Sequence, residues 1–292
     1  MPQQLKAKLR SIGSGLIHLL VPPYLTPFGE SEIVEVMLTS KLQDKIEELA
    51  SLIRSSRYLV AFTGAGISTE SGIPDFRGPQ GIWKKMSPIE LSEFLADPAA
   101  RKEYWRRKIE SYPQMRDAQP NEGHRALARL YQAGLLQTVI TQNIDGLHQK
   151  SGIPDDRVIE LHGSNTYIAC LDCRKRFSWE EALEQEYDDC PSCDACGGWL
   201  KPATISFGQA MPEEQTRAGF HEGGRADLLL VVGSTLQVYP AAAIPQATGD
   251  SGGKVAIVNN VPTVQDMLAQ FLLFGPAGEI LGALAERAIS QK

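Results

Sequence analysis

The amino-acid sequence predicts an α/β fold: a doubly wound parallel sheet that carries a helical insertion and a small cysteine-rich metal module. Three observations predict it. Short apolar runs recur at Tyr58-Leu-Val-Ala-Phe62, Gln137-Thr-Val-Ile-Thr141, Asp227-Leu-Leu-Leu-Val-Val232 and Lys254-Val-Ala-Ile-Val258, each followed by small or polar residues. Such runs read as buried parallel strands feeding ligand loops. Helical patterns lie between them, which is the alternation of a doubly wound sheet. All five cysteines of the 292-residue chain fall between Cys170 and Cys196. That clustering favours a metal site over scattered disulfides.

The elements follow in order. The first residues hold Lys6, Lys8 and Arg10 without an acid, then an apolar stretch from Gly15 to Val21, then Pro22-Pro23. This outline resembles a targeting peptide, but it lacks a small-residue cleavage site and carries His18 within the apolar stretch. Residues 1–39 are therefore read as a disordered arm, with Met37 as an alternative start. From Ser40 the pattern is helical, with Leu42, Ile46, Leu49 and Ile53 on one face and Ser40 to Gln43 readable as a capping box. The strand ending at Phe62 breaks into Gly64-Ala-Gly66, a strand-turn-helix sequence. Residues 81–118 form a helical insertion, with helices expected at Pro88 to Leu95 and Ala99 to Ser111. A helix over Gly123 to Ala133 precedes the second strand, and Val158-Ile-Glu-Leu161 is strand-like. The cysteine block occupies 166–202, and a terminal helix is expected from Thr263 to about Ile289. The single domain then runs over 40–292, its core made of 40–80, 119–165 and 203–292.

Composition narrows the function. Hydrophobic and charged contents of 42% and 22% are those of an ordinary soluble domain. No apolar run approaches the roughly 18 residues of a membrane helix, so no membrane partner is expected. A net charge of −6 argues against a specific nucleic-acid partner and suits a basic peptide. Clustered thiolates need a reducing, cytoplasmic compartment.

Several motifs carry chemistry. Glycines at 64 and 66 after a strand let pyrophosphate approach backbone amides at a helix start. The third glycine of a dehydrogenase fingerprint would fall at Thr69 and is absent, which disfavours hydride transfer. Arg77, on a glycine-flanked loop, can pair with phosphate, and Ser68 and Ser234 can donate hydroxyls. Asn143 and Asp145 follow a strand's carboxyl end, where open α/β sheets bind ligands, although both could also cap the next helix. His162, between a strand-like run and Gly163, suits general-base work by its near-neutral pKa. His124 and His148 read as packing or hydrogen-bonding residues. Cys170-x-x-Cys173 and Cys193-x-x-Cys196, with 19 residues between them, have the spacing of a tetrahedral zinc ribbon, and four thiolates make the zinc structural. Cys190-Pro-Ser-Cys193 is also a C-x-x-C pair, so spacing alone permits either register.

The string from Gly64 to Gly78, Thr141-Gln-Asn-Ile-Asp-Gly-Leu-His148, Glu160-Leu-His-Gly163, Gly233-Ser-Thr-Leu-Gln-Val-Tyr-Pro240 and Val258-Asn259 together resemble the sirtuin (Sir2-like) family, in order and spacing, over about Lys41 to Ala288. The resemblance implies a Rossmann-like core and an NAD-dependent protein-lysine deacylase. Its partners would be acyl-lysine proteins or peptides. It would consume NAD as a cosubstrate, release nicotinamide and O-acyl-ADP-ribose, and hold one structural zinc. By resemblance, NAD meets Gly64, Ala65, Gly66, Ser68, Thr69, Asp75, Phe76, Arg77, Gln142, Asn143, Ile144, Asp145, Gly233, Ser234 and Asn259. Within that set, Asp145 and the Ile144 backbone hold the carboxamide, and Gln142 and Asn143 hold the neighbouring ribose. His162 and Asn143 serve catalysis, with His162 deprotonating a ribose hydroxyl. Ile205, Phe207 and Gly208 meet the peptide. Tyr104 joins the substrate residues because Tyr104-Trp-Arg106 is similar to one branch that acts on varied acyl groups. The glycines and the Leu-Lys-Pro turn after Cys196 match the family's zinc register, giving Cys170, Cys173, Cys193 and Cys196 as ligands. The family's Phe-Gly-Glu is Phe207-Gly-Gln209 here, which removes a charge beside the peptide cleft. Rival readings are an ADP-ribosyltransferase or NAD hydrolase, and a non-enzymatic NAD-sensing module.

Overall fold

The computed structural model describes residues 30–76, 81–82 and 86–290, with side chains from residue 40 onward. Two compact units divide it, 1–44 and 45–292. In the first, the described backbone from Glu30 is helical. The same helix, α1 (Glu30–Ser55), begins well before the predicted Ser40. Ser40 is therefore interior to the helix and caps nothing. Of the predicted apolar face, Ile46, Leu49 and Ile53 are buried and Leu42 is half-buried.

The core of the second unit is a six-stranded sheet in the order β3-β2-β1-β7-β8-β9. Its strands are β1 (Leu59–Thr63), β2 (Leu136–Thr141), β3 (Val158–Glu160), β7 (Leu228–Val232), β8 (Lys254–Asn259) and β9 (Phe271–Phe274), and every pairing is parallel. Strands β1 and β7 are fully buried along their length, as continuous apolar runs with helices on both faces require. The order reverses beside β1, so the loops after β1, β2 and β7 open into one crevice, the ligand position of such sheets. Strand β9 was not foreseen. The segment expected to be one long terminal helix is a short 3₁₀ turn, then β9, then a helix over Ala277–Ser290. Its apolar run Phe271-Leu-Leu-Phe274 pairs with β8 at the sheet edge.

The insertion holds two helices, α2 (Leu91–Ala96) and α3 (Pro98–Asp117), and α4 (Glu122–Gln132) follows it. Asp97 caps α3 through Ala99 N, with Pro98 at the first helical position. The cysteine block builds on a second, antiparallel sheet, β5 (Arg176–Phe177), β4 (Gly163–Cys170) and β6 (Leu200–Thr204), in that spatial order. Insertion and cysteine block share one hydrophobic cluster, in which Phe94, Tyr104 and Trp105 pack with Trp179, Cys190 and Leu200. Trp105 Nε1 donates to the Leu200 carbonyl at 3.1 Å, and Tyr112 stacks on Trp179 at 4.0 Å. Arg101 joins the two through Asp189 at 2.7 Å and lies over Trp199.

Candidate active site and metal centre

After β1 the chain turns through Gly64 into a 3₁₀ helix, Ala65–Ser71, in place of the expected α-helix start. Gly64 and Gly66 lie against Gly233, the residue that follows β7. The Gly64 amide donates to Val232 O and the Gly66 amide to Gly233 O, at 2.9 and 2.8 Å. A Cβ on Gly233, where φ is +63°, would stand 2.3 Å from the Ile67 amide nitrogen. Backbone thus meets backbone, which only glycine allows. The turn's side chains join this frame: Thr69 Oγ1 donates to Gly66 O, and Ser68 is buried.

Ser68 Oγ donates to Asp145 Oδ2 at 2.7 Å and accepts from Asn143 Nδ2 at 3.1 Å, while Asn143 Nδ2 also reaches the Gly64 carbonyl. Asp145 and Asn143 are 5% and 6% exposed, and so are held in one orientation. Asp145 Oδ1 also accepts from the Leu147 amide, so it caps the next turn as well as facing Ser68. Ile144 fixes this loop through its carbonyl, which accepts from Asn165 N. Gln142 Nε2 donates to Ser234 Oγ at 2.9 Å, linking the loops after β2 and β7. Asn259, at the end of β8, donates to Val261 O. The Asp75 carbonyl accepts from Ile82 N, and Phe76 follows it; Arg77 lies outside the described residues.

His162 sits just past β3, at the same end of the sheet. Its Nδ1 lies 2.9 Å from the Gln142 carbonyl. A carbonyl can only accept, so Nδ1 carries the proton and Nε2 is the basic atom. Two residues upstream, burial holds the Glu160 carboxyl above its usual range. The Ile205 amide donates to the His162 carbonyl at 2.9 Å, and Phe207 O accepts from Leu91 N. Ile205 and Phe207 therefore bridge His162 and the helical insertion, and Gly208 follows Phe207 at a φ of +75°. Tyr104, expected to meet substrate, is instead 7% exposed within the aromatic cluster, edge-on to Phe94. Arg106 pairs with Glu103 and Glu110 on the exposed helix face.

Behind Asn143 and Asp145 lies a polar layer whose cooperation the sequence did not reveal. Thr63 Oγ1 bonds both Thr141 Oγ1 and His148 Nε2 at 2.8 Å, and Thr141 Oγ1 accepts from the Asn143 amide. His124 faces His148 across 5.1 Å. Burial first, then the His148 charge, pushes His124 down to about 3, and burial alone pushes His148 down to about 4. Both are neutral at pH 7 and hold structure, as their context suggested.

In the cysteine block, the sulfurs of Cys170, Cys173, Cys193 and Cys196 all lie within 4.8 Å of one another. Cys170 and Cys196 are 3.5 Å apart, and Cys173 and Cys193 3.6 Å. A tetrahedral zinc with Zn–S near 2.3 Å needs sulfurs about 3.8 Å apart, so this donor set fits one zinc. Gly198 lies against it: a Cβ there would meet Asp172 Oδ2 at 2.4 Å and Cys170 Sγ at 3.0 Å. Cys190 stands outside the set. Trp105 Nε1 donates to its sulfur at 3.2 Å, and burial pushes its thiol up to about 11.

A model of the Sir2 family matches residues 64–240. An NAD-dependent protein deacetylase from Thermodesulfovibrio yellowstonii is 44% identical over 85% of this chain and 97% of its own. An NAD-dependent protein deacylase from Archaeoglobus fulgidus is 40% identical over 84% of this chain and 96% of its own. Among solved structures, a Sir2 enzyme with deacetylated p53 peptide and 3'-O-acetyl ADP ribose aligns with TM-score 0.76 at 40% identity, covering 84% of this chain and 98% of that one. The glycine contacts, the Asn143 and Asp145 loop, the His162 turn and the four-cysteine cluster fall where these matches run, and the chain belongs to the Sir2 family.

Proposed function

We infer that this chain is an NAD-dependent protein-lysine deacylase, in which NAD is consumed and one zinc is structural. The observation that carries this reading is the pairing of a buried Asn143–Ser68–Asp145 frame with an imidazole whose Nδ1 proton is committed to Gln142 O. NAD, when bound, supplies the ribose that accepts the acyl group as nicotinamide departs. Asp145 and the Ile144 backbone hold the carboxamide in this reading, and Gln142 and Asn143 orient the ribose. Gly64, Ala65, Gly66, Ser68, Thr69, Gly233, Ser234 and Asn259 hold the rest of the nucleotide in this reading, with Asp75 and Phe76 beside it and Arg77 pairing with phosphate, as the family resemblance implies. His162 Nε2, the nitrogen left unprotonated by the Nδ1 bond to Gln142 O, takes the proton from a ribose hydroxyl as general base. Cys170, Cys173, Cys193 and Cys196 bind the zinc with no position open to substrate, so they stabilise and do not react.

Tyr104 and Trp105 are buried in the core and do not argue for a long acyl chain. We place the protein in the cytoplasm because its metal ligands must remain reduced. Incubation with NAD and a panel of acyl-lysine peptides, read by mass, tests the reading. The expected result is loss of acyl from peptide matched by O-acyl-ADP-ribose. ADP-ribosylated peptide, or free ADP-ribose alone, would point to a transferase or NAD hydrolase instead.

A further inference from the structure

Lys201 in β6 is 2% exposed, the most deeply buried cation among the described residues. Its ammonium donates to the carbonyls of Pro202, at 3.1 Å, and Thr204, and reaches Gln209 Oε1 at 3.5 Å. It also lies over the Tyr104 ring at 5.9 Å. No carboxylate faces it among the described residues: the charged or titratable groups beside it are Tyr104 and Lys108. An ammonium taken from water is costly unless dipoles replace its hydration. Here all those oxygens come from one short segment, residues 202–209.

That segment is fastened to the rest of the chain at two points and braced once within itself. Ile205 N holds the carbonyl of His162, Phe207 O accepts from Leu91 N, and Gln209 Oε1 accepts from Ser206 N at 3.1 Å. At the same place a Cβ on Gly163 would stand 2.0 Å from Ala203 O, so the turn that carries His162 rests directly on this backbone. Thr204, held by Lys201, is the residue before the Ile205 amide. Gln209 meets the ammonium as a neutral acceptor.

We propose that Lys201 is a positioning residue for substrate: through Thr204, Pro202 and Gln209 it sets the 204–209 backbone on which the acyl-lysine peptide lies and braces the turn carrying His162. The proposal rests on the deacylase reading. It is tested in the full-length, zinc-loaded protein with Lys201→Met, Lys201→Gln and Gln209→Ala. Affinity for a fluorescent acyl-lysine peptide, KM and kcat for that peptide, and affinity for ADP-ribose are measured. Lys201→Met is expected to raise peptide KM and dissociation constant about tenfold, the equivalent of one charge-assisted hydrogen bond, with a smaller fall in kcat. ADP-ribose affinity should hold. Lys201→Gln, whose amide still donates to a carbonyl, should recover part of the loss.

A folded Lys201→Met with wild-type peptide affinity and KM overturns the proposal, and so does an equal loss of peptide and ADP-ribose affinity. If Lys201→Met does not fold, Gln209→Ala decides: it loosens the same ammonium from the loop side, and an unchanged peptide KM overturns the proposal. Wild-type protein that binds and deacylates no acyl-lysine peptide overturns the deacylase reading itself.

Discussion

His162 illustrates how one carbonyl assigns a proton: Gln142 O fixes the tautomer, and the tautomer fixes which nitrogen is basic. His162→Ala is expected to lower deacylation by about 10²- to 10⁴-fold, the usual worth of a general base. ADP-ribose affinity should be retained, because the glycine and Ser234 contacts are untouched; turnover and calorimetry on one preparation check both. Gly233→Ala should do the reverse. Its Cβ would meet the Ile67 amide at a positive φ, so a loss of about 1–3 kcal/mol of stability is expected, along with weaker nucleotide binding, read by thermal unfolding and titration. Residues whose chemistry is local were legible in the sequence. Asn143, Asp145 and His162 stand at strand ends, and the cysteine pairs announce themselves by spacing. Thr63, Thr141 and Lys201 were not legible, because their partners come from neighbouring strands or a folded-back loop, which no local pattern reports.

Among the elements, the cysteine block offers the sharpest test. Spacing allowed Cys190 or Cys196 as fourth ligand, and the folded chain gathers Cys196 while turning Cys190 toward Trp105 and Leu200. Cys190→Ser should keep one zinc per chain, whereas Cys196→Ser should lose the metal and fall from solution; metal analysis of purified protein distinguishes them. The strands of the sheet core were readable because buried parallel strands are unbroken apolar runs. Strand β9 was not, since four apolar residues beside a helical pattern read equally as that helix's first turn. The error at α1 has the opposite cause. A serine with a glutamine three residues on resembles a cap, but Ser40 lies in mid-helix and the signal is coincidental.

On the scale of the whole molecule, the facing pair His124 and His148 ties stability to pH. Both are held neutral in the fold, at about 3 and about 4, against an ordinary 6.5. The unfolded chain therefore binds more protons below pH 6.5, so this contribution is complete above 6.5 and is lost as pH falls toward 4. For His148 alone the loss is on the order of 3 kcal/mol. Unfolding midpoints should drop between pH 6.5 and 4, and His148→Asn should flatten that slope; equal slopes in the two proteins would refute the account. The shared cluster of Phe94, Tyr104, Trp105, Trp179, Cys190 and Leu200 bears on how such chains can be recombined. Two stretches far apart in sequence, the insertion helices and the cysteine block, present one continuous interior. A chimera that exchanges either stretch alone leaves indole and thiol facing foreign partners, so the smallest piece that can be traded between relatives is both stretches together.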